Sequence, residues 1–114
     1  MLAPLTLFLL LAAGPTAEQE ITFGIEVAQK GLWREARLRF EKAAAREPDN
    51  ASAQNNLAIA LEQSGEFEKA RAAYEKALEL KPGDVYIQQN YDLFREADDK
   101  RNRKARRAVD AKNP

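Results

Sequence analysis

Cysteine and histidine are both absent from the 114 residues. Their absence excludes a disulfide framework, a thiol nucleophile, a Cys/His zinc site and a Ser-His-Asp triad. It does not identify a redox compartment. Other catalytic resources are also scarce. No carboxylate sits in an apolar stretch that would raise its pKa. Neither a phosphate-binding glycine loop nor a metal-ligand spacing occurs. We therefore expect no catalytic residue, no metal site and no cofactor. Net charge is lacking too, with 18 Lys+Arg against 18 Asp+Glu. Aromatics are only 8% of the chain, and its five glycines and five prolines are clustered as punctuation. The length allows one small domain. A content of 45% hydrophobic and 32% charged residues fits a helical globular chain rather than a disordered one.

Residues 1–13 are almost wholly apolar, and the first charged residue is Glu18. A membrane-spanning helix needs about 20 apolar residues, so this run is short for a span, and it contains Pro4. It has the form of a secretory signal peptide core, followed by small and turn-forming residues, Gly14, Pro15, Thr16 and Ala17. No Lys or Arg precedes it. The expectation is export to a periplasmic or extracellular space, with cleavage within Gly14–Ala17. The alternatives are an uncleaved membrane anchor and a cytosolic protein with an apolar extension.

An internal repeat dominates the remainder. Residues 17–50 and 51–84 align at a 34-residue offset with ten identities, among them Ile25/Ile59, Gly31/Gly65, Ala36/Ala70, Arg37/Arg71, Ala43/Ala77 and Pro48/Pro82. Trp33/Phe67, Phe40/Tyr74, Phe23/Leu57 and Val27/Leu61 are conservative pairs. Each unit reads as helix, tight turn, helix, stop. Leu57 and Leu61 precede Gly65; Phe67, Ala70, Tyr74, Ala77 and Leu78 then recur at helical spacing. Gly31 and Gly65 suit the positive φ that ends a first helix. Pro48 and Pro82 stop the second helix, and Asn50 and Asp84 suit the next N-cap. The alanines allow close approach of helices, and Phe40 and Tyr74 fill the space between them. Two such helices cannot bury both faces alone, so the units must stack.

The 34-residue pattern Gly-x-(Trp/Phe)-x-x-Ala-x-x-x-(Phe/Tyr)-x-x-Ala-x-x-x-x-Pro resembles the tetratricopeptide repeat (TPR) family. The resemblance covers 17–84 as two repeats, and Gln54/Gln88, Asn56/Asn90 and Ile59/Leu93 continue the register into a third helix. It implies an all-α solenoid, a right-handed superhelical stack of about five helices, with a TPR domain over 18–99 and a solvating cap helix from 85 to about 107. Glu20 and Gln54 stand where the family often has Trp or another apolar residue. About three repeats are usual for stability, so the cap or self-association must help.

The resemblance also implies a protein-binding scaffold whose first helices line a concave groove. By register that groove carries Thr22, Ile25, Asn55, Asn56, Ile59, Gln89, Asn90 and Leu93. Asparagine has both a donor and an acceptor for an extended peptide backbone, and the row Ile25/Ile59/Leu93 would hold apolar side chains. The alternative is that the aliphatic row packs between helices while the amides are solvated. A clamp for a C-terminal carboxylate is disfavoured, because its cationic positions hold Tyr86 and Asn90, and Ile21 and Ile25 in the first repeat.

The balanced total charge conceals a polarity. Residues 100–114 carry seven basic residues and one acidic, and 1–99 carry an excess of six acidic residues. Arg101, Arg103, Lys104, Arg106 and Arg107 are candidates for an anionic surface, such as a membrane. The run has no aromatic for base stacking, and export would make nucleic acid an unsuitable partner. The plain alternative is a solvated helix end, where cations suit the helix dipole. Asn50-Ala51-Ser52 matches a glycosylation acceptor, although Asn50 has sufficient use as a cap. Glu62, Glu66, Glu68 and Lys69 read as solvated helix surface. The leading functional expectation is a non-enzymatic adaptor that binds a protein segment. A self-associating or envelope-attached structural protein is the alternative.

Overall fold

The computed structural model describes residues 14–113. Residues 1–13, which hold the signal-like run, lie outside the described residues, as does Pro114. Five helices follow in order: α1 (Ala17–Gln29), α2 (Trp33–Arg46), α3 (Ala51–Gln63), α4 (Phe67–Leu80) and α5 (Val85–Lys112). Helix α1 packs on α2 and α3 on α4, while α2–α3, α4–α5 and α1–α3 contacts join the units. This is the expected all-α repeat stack.

Local chemistry sets the boundaries. Gly31 and Gly65 have φ of 78° and 77°, a conformation that costs other L-residues energy. Asn50 Oδ1 accepts from Ala53 N at 3.0 Å, and Asp84 Oδ1 from Ile87 N at 2.9 Å. Both are N-caps, as the sequence suggests. The cap of α1 is less obvious from the sequence. Thr16 Oγ1 accepts from Gln19 N at 3.2 Å, while Gln19 Oε1 accepts from Thr16 N at 2.9 Å. This is a reciprocal capping box. Ala17, the first residue of α1, is already buried.

The repeat register explains the cap helix. In α3, two opposite sides are buried: Ala53 and Ala60 toward the first unit, Ala58 and Leu61 toward the second. In α5, Ile87 and Phe94 occupy the register of Ala53 and Ala60 and are buried. Asp92 and Arg95 occupy that of Ala58 and Leu61 and are exposed. One side of α5 thus closes the stack, and the other is exposed, mixing Asp92 and Arg95 with apolar Val85 and Leu93. Asp99 stands in the register of Gly65. With no glycine to turn the chain, α5 runs straight on to Lys112, beyond the expected end near residue 107. From Asn102 onward every residue through Asn113 is exposed.

Aromatic rings form the α4–α5 contact. Tyr74 lies 5.3 Å from Phe94 and 5.9 Å from Tyr91, centroid to centroid. Tyr74 donates its hydroxyl proton to Glu62 at 2.9 Å. Burial, reinforced by that carboxylate, pushes the Tyr74 phenol upward from its usual pKa. Glu62 is therefore not merely solvated. Neither is Glu66, which pairs with Arg37 of the first unit.

The repeated arginines bridge the units. Arg37 on α2 reaches Glu66 at the start of α4, and Arg71 on α4 donates to Asp98 on α5 at 2.7 Å. The Arg71 guanidinium, helped by Arg101, holds the Asp98 carboxyl below the usual carboxylate range. The Ile87 backbone N–H does the same for Asp84. A lowered folded pKa stabilises the fold above the unfolded value of about 3.9. That contribution disappears as pH falls through the folded value. Thermal midpoints are expected to hold from pH 7 to about 5 and to fall below about pH 4. Asp98→Asn should lower the midpoint at pH 7 and make the acid decline shallower. Circular dichroism melts across that range check both.

Candidate functional site: the concave face

The first helices of the units, α1 and α3, share one face with the start of α5. The exposed part of the predicted groove comprises Thr22, Ile25, Gln89 and Leu93, with Leu93 at 61% of its free area. Asn56, Ile59 and Asn90 are half-buried. Ile59 packs against the central cluster around Tyr74, so in the aliphatic row it serves the fold as well as the surface. Ile25 and Leu93 flank it more openly.

Asn55 behaves differently from its register partners. It is 3% exposed, and its Oδ1 accepts from Asn90 Nδ2 at 3.3 Å. The pair ties α3 to α5 and gives a buried amide its partner. Register places Ile21, Asn55 and Gln89 in one row; the structure leaves Ile21 half-buried, Asn55 buried and Gln89 exposed. Asn56 donates through Nδ2 to Ser52 O at 2.9 Å and to Ser52 Oγ at 3.3 Å. Among the described residues its Oδ1 has no hydrogen bond, so an acceptor remains available on this face.

Two further features lie on the same helices. A shallow hollow on α5 is lined by Gly83, Val85, Gln89 and Leu93, together with Gln88, Asp92 and Glu96. It shares Gln89 and Leu93 with the predicted groove residues. At the opposite end, Glu20 is buried against Arg39, whose Nη1 approaches its carboxylate at 3.3 Å. The same guanidinium lies 4.4 Å from the Phe23 ring centroid. This pairing explains how a carboxylate occupies a position where an apolar residue was expected.

The cationic candidates separate into two sets. Arg101 is engaged by the fold. Its Nη2 donates to Asp98 at 3.1 Å, and its guanidinium sits 3.5 Å from the Phe67 ring centroid. Arg103, Lys104, Arg106 and Arg107 are exposed and have no ion pair among the described residues. The sequence reading did not identify the Arg37–Glu66, Arg71–Asp98 and Glu20–Arg39 links. The identity of Arg37 and Arg71 one period apart was the available signal for the first two.

A search of curated proteins finds no match. A family profile, Tetratricopeptide repeat, matches residues 21–85, more than half of the chain and both repeats seen in the structure. The chain belongs to the tetratricopeptide repeat family.

Proposed function

We propose that this protein is an adaptor that holds an extended segment of another protein in its concave face, without chemistry of its own. Its family supports a protein-interaction module in general. The observation that carries the finer reading is the presence of two parallel rows at one-period spacing. Thr22, Asn56 and Asn90 form a polar row; Ile25, Ile59 and Leu93 form an aliphatic one. An extended peptide offers backbone amides to the polar row and apolar side chains to the aliphatic one. Selection from a displayed library of extended peptides tests this. Selected peptides should lose about tenfold or more in affinity, about 1.4 kcal/mol, on Asn56→Ala combined with Leu93→Ser. Free-carboxylate and amidated C-termini should bind equally. Peptides indifferent to both substitutions would place binding elsewhere.

Self-association is favoured by one observation, the apolar Val85 and Leu93 exposed at the end of the stack. A molar mass that rises with concentration and falls on Leu93→Ser supports that reading; a constant monomer mass removes it.

Export is also part of the proposal, resting on the apolar run before Glu18. The Thr16 cap and buried Ala17 support processing ahead of them. Cleavage after Ala17 would remove the Thr16 cap, worth about 1 kcal/mol, and a buried core alanine. The mature chain is expected to begin no later than Thr16. Intact mass of protein recovered from the native host checks this, and a start at Glu18 would overturn it.

A further inference from the structure

We propose that the free C-terminal part of α5 is a docking arm for an anionic lipid bilayer, adsorbing electrostatically at the headgroup level. This inference is independent of the concave groove. The arm exists because α5 is not turned at Asp99. Its base is held firmly: Asp98 is shared by Arg71 and Arg101 at 2.7 and 3.1 Å, and Arg101 lies over Phe67. Beyond that lock, residues 102–112 continue for about 16 Å at the helical rise per residue, touching no other element closely enough to be covered.

Most cations of this arm share one broad side, on which Asp110 also stands; Lys112 lies on the other side. Lys100, Arg103, Lys104 and Arg107 stand at helical spacing and line one continuous surface. Arg106 lies beside Arg103 on the adjacent turn. Ala105, Ala108 and Val109 occupy the opposite side, which is too small for deep insertion. Four of these cations, Arg103, Lys104, Arg106 and Arg107, have no counter-ion within the fold among the described residues.

Magnitudes favour a bilayer over pairing with a second copy of the chain. Each basic residue near an anionic leaflet contributes about a fivefold gain in partitioning, so four contribute several hundredfold together. Antiparallel pairing with a second copy would set the cations against Asp92, Glu96 and Asp99. Exposed ion pairs of that kind give less than about fivefold each, and the association itself has an entropic cost. The arm has no aromatic for base stacking, and duplex binding through phosphates alone is separated from bilayer binding by the test.

Vesicle co-sedimentation of the full chain provides the test. Wild type is compared with a variant carrying Arg103→Gln, Lys104→Gln, Arg106→Gln and Arg107→Gln. A second variant neutralises four cations of the body, Lys30→Gln, Lys42→Gln, Lys69→Gln and Lys76→Gln. The apolar N-terminal segment is common to all three. With 30% phosphatidylserine in phosphatidylcholine, the arm variant should partition a hundredfold or more less than wild type. The body variant should stay within about threefold, and 0.5 M salt should remove the wild-type advantage. Circular dichroism should show the arm variant folded. Equal binding to pure phosphatidylcholine, or equal loss in both variants, overturns the proposal. So does arm-dependent binding to duplex DNA, or arm-dependent dimerisation, in the absence of arm-dependent vesicle binding.

Discussion

Phe94→Ala is expected to cost about 3–5 kcal/mol, enough to remove most of the stability of a small domain whose total lies near 5–15 kcal/mol. Phe94 is completely buried and is the largest fully buried side chain of α5. Its ring lies against Tyr74 and Tyr91 and 5.4 Å from the Arg71 guanidinium. In a repeat array, stability is close to a sum of unit terms and neighbour interfaces. Among the described residues the α4–α5 interface is the last one, and only one helix supplies its far side. Removing the ring leaves a cavity and weakens the cap's hold on Tyr74, Leu61 and Ala73. Leu93→Ala, one residue earlier but exposed, should change stability by less than about 0.5 kcal/mol. Chemical denaturation of both variants makes the comparison. If Phe94→Ala matched Leu93→Ala, α5 would not be the cap that the register describes.

The fold was readable from the sequence to an unusual degree because it is written twice. Gly31/Gly65, Ala36/Ala70 and Pro48/Pro82 specify turn, close approach and stop by residue type alone. The same residues recur at one period, so each copy checks the other. The length of α5 was partly readable as well: Asp99 in the glycine register removes the turn, and nothing helix-breaking follows before Pro114. The site was less readable. Register predicts azimuth on a helix, and neighbours decide whether that azimuth meets solvent. Asn55 and Gln89 share a register position, yet Asn55 is buried by its bond to Asn90 and Gln89 is exposed. The bridging arginines illustrate the same limit. Arg37 and Arg71 are equivalent, but their partners Glu66 and Asp98 are not, because α5 continues straight where α3 ends. A periodic sequence reveals periodic contacts; the ends of the array bring contacts that no earlier unit contains.

Gly24→Ala tests the closest helix approach in the first unit, and its expected effect runs against intrinsic propensity. Alanine in a helix interior is favoured over glycine by about 1 kcal/mol. Gly24 lies in the middle of α1 and is buried against Phe40. A Cβ there would stand 2.5 Å from Phe40 Cε1 and 2.9 Å from Cδ1. The ring has little room to retreat, since Phe40 is itself 2% exposed. Overpacking of this kind costs about 1–3 kcal/mol, so the net result should be destabilisation by about 1 kcal/mol despite the gain in propensity. The second unit holds Ala58 and Tyr74 at the equivalent positions, and both are buried there. The extra carbon is therefore compatible with the repeat but not with this ring placement. Phe40→Leu should restore the space. Combined with Gly24→Ala, it should be more stable than the two single changes predict by at least about 0.5 kcal/mol in a double-mutant cycle. Additive effects would mean that α1 and α2 separate freely at this point, and that the small residue is not what sets their distance.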